Sequence, residues 1–120
     1  MKYFEVELNG ETIKLRLTSS DSVEIEHKTG KSILDLIDEY TVTTVNMFLK
    51  YLRRSELPQF SEKDACALYD KFIDNGYTIE QIIFDVIYEA LCVSGFFKKE
   101  KLEKLKKELE NSEQEEISQN

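Results

Sequence analysis

One histidine, one proline, two cysteines, four glycines and no tryptophan stand among 120 residues, and basic side chains are outnumbered 16 to 24 by acidic ones. Each shortage removes a class of function. With His27 as the lone histidine, a catalytic triad or a two-histidine metal site cannot be built within one chain except in histidine-poor forms. Its neighbours Glu26 and Lys28 mark a solvated helix face. Cys66 and Cys92 lie inside apolar helical stretches without a basic or histidine activator beside them, so they read as core thiols in a reducing cytoplasm. The glycines stand singly at Gly10, Gly30, Gly76 and Gly95, each at an expected turn or helix end, and form no phosphate-cradling loop. Asp74-Asn75-Gly76 fails as a calcium loop, because that register puts Lys71 first and Ile82 twelfth, with no bidentate acid. Asp35, Asp38 and Glu39 read as a solvated helix surface.

The net charge of −8 argues against nucleic acid, whose phosphates need clustered Lys and Arg, and favours solubility or a basic partner. No apolar run approaches membrane-spanning length, and even Ile82-Ile83-Phe84 stops at Asp85. The N-terminus alternates apolar with polar residues and lacks the layout of a signal peptide. These readings lead us to expect no catalytic residue, no metal and no cofactor: a binding protein and not an enzyme.

What is present is one core's worth of apolar residues, 41% of the chain, enough for one domain. Phe4, Val6 and Leu8 alternate with Tyr3, Glu5 and Glu7, and Ile13, Leu15 and Leu17 with Lys14 and Arg16. Asn9-Gly10 between them predicts a two-residue hairpin that sets Val6 opposite Ile13, Phe4 opposite Leu15, Glu5 opposite Lys14 and Tyr3 opposite Arg16. The period then turns helical. Thr18-Ser19-Ser20-Asp21 offers cap candidates for a short helix ended by Gly30, and Ser32 opens another over Ile33 to Ile37. Val42, Val45, Phe48, Leu49 and Leu52 share a helix face, closed by Pro58. Ser61 begins a helix striped by Ala65, Leu68, Tyr69, Phe72 and Ile73. Thr78-Ile79-Glu80-Gln81 fits a capping box, and the helix behind it is apolar nearly all round, which predicts the central buried helix.

These patterns make the fold class α+β, predominantly α: an N-terminal β-hairpin, about five to six helices and a disordered C-terminal tail. The expected organisation is a hairpin plus helical core domain over 1–97, a charged amphipathic helix over 98–110 and the tail over 111–120. In that last helix Leu102, Leu105 and Leu109 form a narrow seam, too short for an independent coiled coil, which should dock on its own domain or on a partner. Together with Phe96 and Phe97 they are the candidate partner-binding residues. The half-apolar hairpin has an open edge, which also points to homo-oligomers.

The hairpin, the Leu15-Arg16-Leu17-Thr18-Ser19-Ser20 transition, the Gly30-Lys31-Ser32-Ile33-Leu34-Asp35 turn, and above all Leu68 to Gly76 running on to Ser94-Gly95-Phe96-Phe97, together resemble the tail assembly chaperones of long-tailed bacteriophages of Gram-positive hosts. The likeness spans residues 3 to 99, with Asn75 departing from the acidic residue or second glycine expected there. It implies a protein that binds the tape measure protein, keeps it soluble while tail tube subunits polymerise around it in the host cytoplasm, and is absent from the mature virion. It also implies a longer form made by ribosomal frameshifting, for which the adjacent lysine pairs Lys98-Lys99 and Lys106-Lys107 mark places where a run of adenines would serve. The alternative is a small acidic phage- or plasmid-borne inhibitor or adaptor acting by protein–protein binding.

Overall fold

The computed structural model describes residues 2–119, apart from the side chains of residues 109 and 112–119. Two strands, β1 (Phe4–Leu8) and β2 (Glu11–Leu15), pair antiparallel in a register that sets Phe4 against Leu15, Glu5 against Lys14 and Val6 against Ile13. Asn9 and Gly10 both take positive φ, 57° and 79°, as a type I′ turn requires. The ladder stops short of one expected pair. Arg16 does not face Tyr3 across the ladder; its N–H donates to the carbonyl of Leu52 at 3.0 Å, drawing the chain onto the helices.

Among the described residues six helices come after the hairpin: α1 (Ser19–Thr29), α2 (Ile33–Leu36), α3 (Val42–Arg54), α4 (Glu62–Asp74), α5 over 79–93 and α6 (Lys99–Gln119). The first five start on hydroxyl caps: the side chains of Thr18, Ser32, Thr41, Ser61 and Thr78 each accept a backbone N–H three residues on. At Ser61 and Thr78 the third residue, Asp64 or Gln81, reaches back to complete a capping box, so two orphan donors are satisfied at each start. Gly95, with φ 93°, ends α5. There the N–H of Phe96 reaches back to the carbonyl of Leu91 and that of Gly95 to Cys92, a left-handed cap that a side chain with a Cβ would strain.

The middle of α5 is not α-helical. Between Ile79–Gln81 and Tyr88–Val93, residues Ile82–Ile87 form a π-helical segment, and the N–H of Tyr88 bonds the carbonyl of Ile83 five residues back. As expected, this is the central helix: Ile82, Ile83, Phe84, Val86, Ile87, Tyr88, Ala90 and Leu91 are all buried. It packs against α3 and, at its end, against β1 and α6, while β2 rests on α3. Ser94 fastens this end to the hairpin's exit, donating to the carbonyl of Ala90 at 2.7 Å and accepting the N–H of Leu17 at 2.9 Å.

Three expectations about the core need correction. Val42 is half exposed, because α3 turns Thr44 and Tyr51 inward instead. Ile73 is 40% exposed at the end of α4. Cys66 is exposed, and only Cys92 is partly covered; the inward face of α4 is carried by Ala65, Leu68 and Phe72. The backbone of α6 continues past residue 110, where the sequence pattern had ended it. Of the tail expected over 111–120, the side chains of 112–119 and the whole of residue 120 lie outside the described residues. No helix among them is long and apolar enough to cross a membrane.

Candidate functional site

An open groove of ≈ 620 Å³ runs between the start of α5 and the outer side of α6. One wall is the capping-box turn and the first π-helical residues: Thr78, Ile79, Glu80, Gln81, Phe84 and Asp85. The other is Lys106 and Glu110. A π turn adds a residue to the helical circuit and swings the residues beyond it by about 100° relative to an α-helix. Within the segment that contains it, Phe84 is buried while Asp85 stays in solvent.

Phe84 also belongs to a chain of rings that crosses the molecule. Its centroid lies 6.1 Å from that of the exposed Tyr40 and 4.9 Å from that of Tyr88, which in turn lies 6.0 Å from Phe97. Tyr88, 1% exposed, donates its hydroxyl to the carbonyl of Ile37. Burial, then the neighbouring Tyr40, raises its pKa far above the ordinary tyrosine value, so it remains a neutral donor.

Apolar and polar attachments hold α6, with Leu105 partly buried beside the apolar one. Leu102 is buried, and Lys106 sits 2.8 Å from Glu89 and 3.6 Å from Asp85. Burial works against the Lys106 ammonium, but the hydrogen bond and charge of Glu89, followed by those of Asp85, outweigh it and raise its pKa. With Glu80, Asp85 and Glu110 around it and one lysine engaged, the groove has an acidic rim over a floor formed by Ile79 and Phe84.

Phe96, Phe97, Leu102 and Leu105, four of the five residues singled out from the sequence, do not line this groove. Leu102 lies in the core, Phe96, Phe97 and Leu105 are partly buried against it, and the side chain of Leu109 lies outside the described residues. Among the residues that do line it, Thr78 to Gln81 were legible as a capping box, but the π segment gave no signal, since a helix apolar nearly all round carries no stripe whose phase an inserted residue would break. Of the polar candidates, His27, Asp35, Asp38 and Asp74 are all exposed. Glu39 is held by Lys31, whose hydrogen bond keeps its carboxyl below the usual range. Among the described residues no three His, Cys, Asp or Glu side chains stand close enough to share a metal ion.

No protein family matches the chain, and no curated protein or solved structure is significantly similar to it. The functional reading therefore rests on the residues and their arrangement.

Proposed function

We propose that this protein is a tail assembly chaperone of a long-tailed bacteriophage. In this reading it holds an amphipathic helical segment of the tape measure protein and keeps that protein soluble during tail morphogenesis. The observation that carries it is the groove between α5 and α6. An apolar floor under an acidic rim suits a helix that presents an apolar face flanked by Lys or Arg, the helix-in-groove mode of recognition. The resemblance over residues 3 to 99 supplies the identity of that helix. A DNA-mimicking inhibitor draws less support. Its acids would form one continuous stripe, whereas here Glu11, Glu24 and Glu39 are paired with Lys71, Arg54 and Lys31.

The test is co-expression of the full chain with a tape measure protein, the long helical product that this reading expects of a gene beside its own. The expected result is that the partner becomes soluble and co-purifies, and that Ile79→Asp, which puts a charge on the groove floor, reduces the yield of complex. A partner equally insoluble with and without this chain overturns the reading.

A further inference from the structure

The two edges of the hairpin are treated differently. In a two-residue hairpin the pairs Leu8–Glu11, Val6–Ile13 and Phe4–Leu15 exchange ladder hydrogen bonds, so the N–H and C=O groups of the intervening residues point outward from the sheet. On β2 the outward groups at the Lys14 end are engaged by α3. The Arg53 guanidinium donates to the carbonyl of Lys14 at 3.2 Å, and just past the strand the N–H of Arg16 donates to Leu52. On β1 nothing among the described residues bonds the outward groups of Glu5 and Glu7. The β2 edge is engaged at one end, and the β1 edge is open.

We infer that the open edge of β1 is a docking site for an extended, basic segment of a partner protein, which adds to the hairpin as a third strand. Charge selects the occupant. Glu5 and Glu7 are exposed and neither is in an ion pair among the described residues, since Lys14, opposite Glu5, directs its ammonium toward Glu56 at 4.0 Å and the ring of Tyr3 at 5.9 Å. A strand carrying Lys or Arg at alternate positions would set them beside these two carboxylates. Its other residues would pass beside Phe4, whose side chain is only partly covered. A second copy is the poorer occupant. Antiparallel pairing of β1 with itself in any well-overlapped register brings Glu5 or Glu7 against Glu5 or Glu7 of the other copy, and like charges directly opposite are destabilising. This site is separate from the groove and stands whether or not the groove binds a helix.

The experiment follows backbone amides of the full ¹⁵N-labelled chain by NMR while a capped Lys-Val-Lys-Val-Lys peptide is added, with Glu-Val-Glu-Val-Glu as the control. In the free protein the amides of Glu5 and Glu7 should exchange with solvent quickly and those of Val6 and Leu8 slowly. The basic peptide should shift and protect Glu5 and Glu7, more weakly at high salt, and the acidic peptide should not. Glu7→Pro removes one outward N–H together with one of the two carboxylates, without removing a ladder hydrogen bond to β2, and should weaken binding at least roughly fivefold, the loss of about one hydrogen bond plus the lost charge. If that variant unfolds the hairpin, the double variant Glu5→Lys, Glu7→Lys keeps the backbone and should lose the preference for the basic peptide. The inference is overturned if Glu5 and Glu7 are already protected in the free chain, or if their protection grows with protein concentration alone, which would mark a second copy. Equal binding of both peptides, or shifts that map to the groove instead, also overturns it.

Discussion

Tyr88 shows what single buried polar groups do in this molecule. Its ring is packed between Phe84 and Phe97, and its hydroxyl ties α5 to the carbonyl at the end of α2. Tyr88→Phe keeps the ring and leaves that buried carbonyl without its donor, which should cost about 1 to 3 kcal/mol of unfolding free energy in urea titration. The two cysteines differ from the sequence expectation that both are core. Cys66 is exposed, whereas Cys92 is partly covered, and burial followed by the charge of Glu89 pushes its thiol upward in pKa. A maleimide or disulfide reagent near neutral pH should therefore modify Cys66 first and Cys92 much more slowly; comparable rates would contradict the placement of α4. At this scale the sequence was least legible. Periodicity places a residue on a face, but whether Val42 or Thr44 ends up covered depends on how far the neighbouring element reaches, and that is not written locally.

Elements were far more legible, because their ends are set by short-range chemistry. The Asn9-Gly10 turn, the hydroxyl caps and the single glycines act within a few residues, so a pattern reading finds them without the tertiary fold. The π segment in α5 escaped for the converse reason: it is satisfied by packing on all sides and leaves no local mark. The caps carry a pH signature. Hydrogen bonds from the backbone N–H and then the side chain of Ser61 hold the Asp64 carboxyl below its ordinary value of 3.8. A carboxyl with a lowered folded pKa contributes stability that is present above its unfolded pKa and lost as the pH falls through the folded one. Asp64→Asn should thus be less stable than the natural chain at neutral pH. The gap should close as the pH falls below 3.8, read by thermal unfolding across an acid series. Lys106 works with the other sign: its raised pKa contributes stability that is fully present below 10.5 and lost as the pH rises through the higher folded value.

For the whole molecule, the division of labour turns on α6. The sequence marked its leucine seam as a surface that docks either on its own domain or on a partner. The structure seats Leu102 in the core and leaves the groove beside the helix, walled by Lys106 and Glu110. The groove was not legible because it exists only where two elements far apart in sequence meet. The attachments at Leu102 and Lys106 hold this wall in place. Leu102→Ala should loosen it: the variant should show faster amide exchange along α6 than elsewhere, with a stability loss below the roughly 2 to 5 kcal/mol of a fully rigid core site, because the helix can detach locally. In the proposed chaperone role the same loosening moves one wall of the groove away from a helical partner. Removal of residues 98–120 should act in the same direction as Leu102→Ala and more strongly, lowering affinity for a tape measure helix by roughly tenfold, about 1.4 kcal/mol, because the wall carrying Lys106 and Glu110 is gone. Titration calorimetry with the three proteins separates the cases. Affinity falling from the natural chain to Leu102→Ala to the truncated form supports α6 as a wall of the binding groove. A rise in both variants makes α6 a competitor for the same apolar bed, and no change in either places the partner away from this groove.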